Sequence, residues 1–404
     1  MSRTRNEKRV TSNGRRPVVV VEDDPFPRLI QVILDPATPA ARLAAFSHFF
    51  AHEEPDFAGW CGRLRARLKK LHPAEVRLVT DQDALLAAMP GAQVVIVESL
   101  RLGRREIDAA GVTLRIAQKY GTVPSNIDTA ACRRARVRVL TLRRRANISC
   151  AEHAFGLMLA LARKIHETAG LISVEQLQAA GYSPTQYDRE HTANANWARV
   201  TGTRNLFNRQ IGIVGFGEIG REVALRAAAF GMRIVYTQRH RLPAREESRY
   251  GAVYAPLDAL LANSDFVSLH LPLTDATRGI IGRRELELAR PGAILINISR
   301  PPLVDREALL DALRSGRLGG FGLDPHYDAP GRADDPLLAF RNVIITPHLA
   351  AAPRYNSMDD FEELLLGIDK ALAEIERNRG KLYCPQVVDA CLRLFREKGF
   401  KLPA

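Results

Sequence analysis

No stretch of this 404-residue chain approaches the roughly 20 uninterrupted apolar residues needed to span a bilayer. Its first 16 residues, MSRTRNEKRVTSNGRR, are basic and have no apolar run behind them. Neither a membrane protein nor a secretory leader is therefore expected, and the cytoplasm is the expected compartment. Cysteine is sparse and scattered. Cys61, Cys132, Cys150, Cys384 and Cys391 form no CxxC pair, and no histidine lies at metal-ligand spacing from them. Free thiols are expected, and a metal centre is not. Repeats at solenoid spacing and low-complexity tracts are also missing, which excludes repeat arrays and leaves an ordinary globular chain.

What is present fits that class. With 46% hydrophobic and 25% charged residues, the composition is globular, and the length exceeds what one hydrophobic core usually supports, so two domains are expected. The formal charge of +13 is carried by arginines in short clusters, Arg133, Arg134 and Arg136 or Arg143, Arg144 and Arg145, and not by one continuous stripe. That distribution suits a surface attracting anionic substrates and cofactors better than a nucleic-acid groove. Residues 1–16 read as a basic, disordered, solubilising tail.

From residue 17 short β-branched runs alternate with longer helical stretches: PVVVVE, EVRLVT, QVVIVE, LRIAQK and VRVLTL. The alternation restarts after residue 205 with RQIGIVG, RIVYT, FVSLHL, AILINIS, GGFGLD and NVIITPH. The fold class is α/β with two doubly wound parallel sheets. Between them, residues 150–167 form a helical stretch apolar on most faces, and residues 361–378 have apolar residues at helical spacing that return the chain to the first domain. The boundaries expected are 17–148 with 353–404 for a discontinuous, flavodoxin-like substrate domain, and 149–352 for a Rossmann cofactor domain inserted in it. Residues 28–72 read as helical and longer than a usual crossover, and 167–200 as a long polar loop.

The strand QIGIVG runs into Gly215-Phe216-Gly217-Glu218-Ile219-Gly220 and then a helical segment. In that context Gly215 makes the tight turn, Gly217 lets backbone approach a pyrophosphate, and Gly220 lets the helix pack on the sheet. The next strand ends at Thr237. Where an NAD site carries an acidic residue for the ribose hydroxyls, this chain reads Gln238-Arg239-His240-Arg241. Without a carboxylate to repel a 2′-phosphate, and with Arg239 and Arg241 to bind it, NADP is the expected cofactor and NAD the alternative.

The later segments, LPLTDATRGIIG, ILINISR ending in Arg300, GGFGLD ending in Asp324 and NVIITPH ending in His348, complete an ordered set. With GTVPSNID (121–128) and AEHAFGLMLALAR (151–163), their order and spacing over about residues 74–390 resemble the D-isomer-specific 2-hydroxyacid dehydrogenase family. The resemblance implies hydride transfer between nicotinamide and a small 2-hydroxy or 2-oxo acid such as glyoxylate or hydroxypyruvate, and a homodimer. It implies that Arg300 grips the carboxylate and carbonyl oxygen, that His348 is the acid/base, and that Asp324 meets the nicotinamide carboxamide. Backbone amides near Thr122 and Val123 correspond to the loop that caps the substrate carboxylate, although its second glycine is valine here. Two departures stand out. Arg300 is followed by Pro301-Pro302 instead of glycine, and the family glutamate that pairs with the histidine falls on Ala329, leaving Asp328 as the nearby carboxylate expected to replace it. Arg143, Arg144 and Arg145 stand where relatives carry a glycine-containing loop, with Arg145 the candidate reader of a second anionic group on the substrate. His153 reads as structural. Two readings compete: a dinucleotide-sensing regulator or scaffold on the same fold, and a nucleic-acid-associated protein, suggested only by the charge.

Overall fold

The computed structural model describes residues 16–328 and 330–378, so residues 1–15, Ala329, Cys384 and Cys391 lie outside the described residues. The chain divides into two compact units, Met1–Arg145 with Arg354–Ala404, and Ala146–Pro353. The second unit is inserted in the sequence of the first.

In the first unit β1 (Val18–Glu22), β2 (Glu75–Val79), β3 (Val94–Val97), β4 (Ile116–Lys119) and β5 (Arg138–Leu140) pair parallel in the order β2-β1-β3-β4-β5. This is the flavodoxin-like winding. Every residue of β3 is buried, which explains why VVIV shows no apolar/polar alternation: helices cover both faces of a parallel sheet. The long segment after β1 holds three helices, Arg28–Leu34, Ala40–Phe50 and Phe57–Arg67. Phe50, Phe57 and Trp60 from the last two stack in series, giving this unit an aromatic layer of its own. The helix Tyr355–Asn378 sends Phe361, Leu364, Leu365 and Ile368 into the same core, where Phe361 stacks on Tyr120 with ring centroids 5.2 Å apart.

The second unit contains β6 (Gln210–Val214), β7 (Arg233–Thr237), β8 (Ala252–Tyr254), β9 (Phe266–Leu269), β10 (Ala293–Asn297), β11 (Leu318–Leu323) and β12 (Val343–Ile345). Their order, β12-β11-β10-β9-β6-β7-β8, is a Rossmann winding extended by one strand, parallel throughout. β8, a three-residue strand at the sheet's edge, was not expected from the sequence. The helix Arg145–Arg163 buries Ala151, Ala154, Leu157 and Met158 against this sheet, as its all-round apolarity requires. After short helices at Ile165–Thr168 and Val174–Ala179, residues 180–209 run without regular secondary structure to β6.

Candidate active site

Register places Ile345, Leu323, Asn297, Leu269, Val214 and Thr237 in one row across the second sheet. Because all strands are parallel, whatever follows that row lies at one carboxyl edge, where open α/β sheets bind ligands. Immediately after it come Thr346, Asp324, His270, Gly215 and Gln238, and Arg300 and His348 follow a little further along their strands. Residues separated by more than a hundred positions thus share an edge because of topology.

The glycine loop fits a dinucleotide pyrophosphate. Gly215 has φ +95°, and a Cβ there would strike the carbonyl of His270, while a Cβ on Gly220 would collide with the carbonyl of Gly215. Both therefore serve close packing of the helix Glu218–Ala229 on the turn. Gly217, which caps that helix, faces open space, so backbone N–H groups and the helix dipole are accessible to an anion.

Beyond β7 the two arginines part. Arg241 is held bidentately by Glu247, with Nε and Nη2 at 2.9 and 3.0 Å, and Glu247 also accepts from the Tyr236 hydroxyl at 2.9 Å. The hydrogen bond from Arg241 holds the Glu247 carboxyl below its usual range. Arg239 is exposed and has no ion pair or side-chain hydrogen bond among the described residues. Gln238 donates to the His240 carbonyl at 2.6 Å. The expectation that both arginines hold a phosphate narrows to Arg239, because an acidic residue of the following helix has already engaged Arg241.

His270, which carried no sequence motif, directly follows β9 beside the glycine loop. Its Nε2 lies 2.8 Å from the Ser268 hydroxyl, and its Nδ1 is buried with no hydrogen-bond partner. An orphaned polar atom at this edge is one a bound cofactor or its water can satisfy. Burial pushes the His270 pKa down to about 3, so the folded ring stays neutral. As pH falls below the ordinary histidine value, the unfolded chain takes up a proton that the folded one refuses. Stability is complete above that value and declines towards the folded pKa. Between pH 7 and pH 5 this one group removes about 2 kcal/mol. His270→Gln, which keeps the bond to Ser268, should show a smaller drop in denaturation midpoint over that interval; an unchanged drop would refute the assignment.

Asp324 is fully buried, and its donors lie around His348. Oδ1 accepts from the Thr346 hydroxyl and the Leu349 amide, both at 2.8 Å, and Oδ2 from the Ala350 amide at 2.9 Å. Thr346 in turn lies 2.8 Å from Nε2 of His153, which gives that histidine the structural role read from the sequence. His348 itself sits exposed with φ +59°, a conformation that needs its neighbours to fix it. Asp324 therefore holds the histidine loop from below, whatever it also meets on a cofactor. Asp324→Asn places an amide NH2 towards at least one of those donors. It should lower kcat by about tenfold or more with little change in cofactor KM. A raised cofactor KM at normal kcat would point instead to the carboxamide contact.

Arg300 follows β10 in extended conformation, φ −139° and ψ 129°. Asn297 fixes its backbone, donating from Nδ2 to the Arg300 carbonyl at 2.9 Å, and the exposed Arg300 guanidinium donates to the Ser299 carbonyl at 2.8 Å, its one hydrogen bond among the described residues. The proline pair begins a single 3-10 turn, Pro301–Leu303, leaving the arginine at the edge. Asp328 is placed 3.5 Å from Arg306, which also pairs with Asp335 at 2.9 Å. The carboxylate expected to serve His348 thus faces a cation at the start of the helix Arg306–Arg314.

In the first unit Thr122 and Val123 lie on the loop after β4. Arg145 is gripped by Asp360 at 3.0 Å and Glu363 at 2.9 Å. Arg144 lies over the Tyr120 ring at 4.1 Å and pairs with Glu98 at 2.6 Å, where burial raises the glutamate and the arginine opposes that rise. Carboxylates of the last helix and of the loop after β3 therefore hold two of the three arginines, which sequence alone assigned to a ligand.

The second unit is a Rossmann sheet whose carboxyl edge carries a dinucleotide loop, an arginine and a histidine, and the first unit winds like a flavodoxin. Residues 155–350 match the family described as D-isomer specific 2-hydroxyacid dehydrogenase, NAD binding domain. The chain is 37% identical over 283 residues to a glyoxylate reductase of Thermococcus gammatolerans, covering 69% of this chain and 77% of that protein. It is 38% identical over 282 residues to the D-3-phosphoglycerate dehydrogenase of Mycobacterium bovis, covering 69% of this chain but 49% of the other, so it spans about half the length of that relative. Among solved structures, D-mandelate dehydrogenase of Rhodotorula graminis superposes with TM-score 0.50 at 23% identity, covering 88% of this chain and 94% of that one, a likeness of fold. The chain belongs to the D-isomer-specific 2-hydroxyacid dehydrogenase family. No helix among the described residues is long and apolar enough to cross a membrane.

Proposed function

We propose that the chain is an NADP-dependent reductase of a small 2-oxo acid, glyoxylate, hydroxypyruvate or a close relative, acting in the cytoplasm as a homodimer. The observation that carries this reading is the shared carboxyl edge of one parallel sheet, which holds the glycine loop, Arg300 and the Asp324-supported His348. A bound nicotinamide supplies the hydride. Arg300, with a planar fork and no carboxylate partner among the described residues, orients the substrate carboxylate and polarises its carbonyl. His348 holds the proton that the developing alkoxide takes in reduction and receives it back in oxidation. Thr122 and Val123 of the first unit supply the amides for the substrate carboxylate. Arg239 supplies the cation for the 2′-phosphate.

A second reading, a dinucleotide-sensing regulator, is favoured by the Arg306–Asp328 pair, which draws away the carboxylate best placed in sequence to serve the histidine. Assaying a panel of 2-oxo acids with NADPH and NADH in parallel separates the two. Turnover of at least one acid with NADPH in preference to NADH supports the reductase; saturable NADPH binding with no turnover across the panel supports the regulator. Sedimentation of the same preparation tests the dimer.

A further inference from the structure

At the amino edge of the second sheet, opposite the edge that carries Arg300 and His348, lies a cleft of about 480 Å3 lined by Arg163, Arg204 and Arg209 with Thr203, Asn205 and Asn208. It is formed where the helix Arg145–Arg163 ends and the chain enters β6, and the Arg204 amide is tied back to the Ala162 carbonyl at 2.8 Å. The charges around it are unbalanced. Asp265 is already shared by Arg209 at 3.7 Å, Arg290 at 3.1 Å and the Gln210 amide at 3.0 Å. Arg163 donates to the Asn205 side-chain oxygen Oδ1 at 2.7 Å and meets no carboxylate within ion-pair distance among the described residues. Arg204 has neither an ion pair nor a side-chain hydrogen bond among them.

The Arg204 guanidinium also has a bed made for it. It lies over bare backbone at the starts of β10 and β11, where a Cβ on Gly319 would collide with Nη2 and one on Gly292 would come within 3.6 Å of it. Burial lowers its pKa; the Asp265 carboxylate opposes that shift, and repulsion from Arg209 and Arg290 adds to it. A half-buried guanidinium with five donors and no ion pair of its own among the described residues, beside a carboxylate that Arg209 and Arg290 already share and facing a cleft lined by polar residues and Phe207, favours an anion that takes several charge-assisted hydrogen bonds at once.

We infer that this cleft is a second anion site, separate from the cofactor edge, which binds a phosphate group between Arg163 and Arg204. The tetrahedral, doubly charged group matches the two forks, and Thr203, Asn205 and Asn208 offer its remaining oxygens neutral donors. The size of the cleft suits inorganic phosphate or the phosphate of a small monoester, and the test distinguishes these sources.

The full-length chain is titrated with inorganic phosphate, and separately with phenyl phosphate, by calorimetry at constant ionic strength set with chloride, with and without saturating NADPH. Saturable binding that NADPH does not compete away is expected. Tighter binding of the ester identifies a monoester site, and equal or weaker binding identifies free phosphate. The double variant Arg163→Gln, Arg204→Gln should bind at least about tenfold more weakly. If it misfolds, Arg204→Lys alone should weaken binding while keeping the charge. The inference fails if phosphate shows no binding beyond the chloride control, if NADPH displaces it, or if the variants bind it as the wild type does. It fails equally if only a short DNA duplex binds in a manner dependent on these arginines.

Discussion

Arg300→Lys should leave the chain folded and lower kcat/KM for its 2-oxo acid by about 100-fold or more, some 2.7 kcal/mol of transition-state stabilisation. Among the described residues the exposed guanidinium hydrogen-bonds the Ser299 carbonyl and pairs with no carboxylate, so folding should not depend on it, and Asn297 fixes the backbone whichever side chain is present. An ammonium keeps the charge but replaces a rigid planar fork with a point donor, which cannot hold a carboxylate and a carbonyl oxygen together. Steady-state kinetics with unchanged thermal unfolding is the measurement. Near-normal kcat/KM would remove Arg300 from the substrate site, and the proposed reaction with it.

The second large effect is expected at Arg239. Arg239→Ala should reduce kcat/KM with NADPH by about tenfold to 100-fold while leaving NADH within a factor of about two, because only NADPH loses a phosphate partner. Arg241→Ala should behave differently. It breaks the bidentate pair with Glu247 and leaves that carboxylate with Tyr236 alone, so its effect should fall on stability and on both cofactors alike. Equal losses with NADPH and NADH in Arg239→Ala would show that the cofactor's 2′ position lies elsewhere. A selective NADPH loss in Arg241→Ala would show that cofactor binding opens the Glu247 pair.

Much of the fold was legible in the chain. Continuous β-branched runs such as VVIV and AILIN suit strands buried on both faces of a parallel sheet, and eleven of the twelve strands among the described residues were read from short runs in the sequence, although LGGFGL has no β-branched residue. The glycine loop was equally plain, because Gly215 and Gly220 sit where any Cβ would meet backbone, and a constraint imposed by backbone is written in residue type. β8 (Ala252–Tyr254) was not read from the sequence.

Side-chain allegiance was decided elsewhere. Arg239 and Arg241 look alike in sequence, as do Arg144 and Arg145, and what separates them is which carboxylate the fold delivers: Glu247 to Arg241, Glu98 to Arg144, Asp360 to Arg145. Asp328 met Arg306 for the same reason. His270, which lacked a motif, acquired an orphaned nitrogen and a depressed pKa only through burial at the end of β9. Local pattern determined the strands, the turns and the family, because backbone geometry and burial act over a few neighbouring residues. Which charges pair and which stay open was settled by tertiary structure, because an ion pair forms between groups that the winding of the sheets brings within a few ångströms, however far apart they lie along the chain.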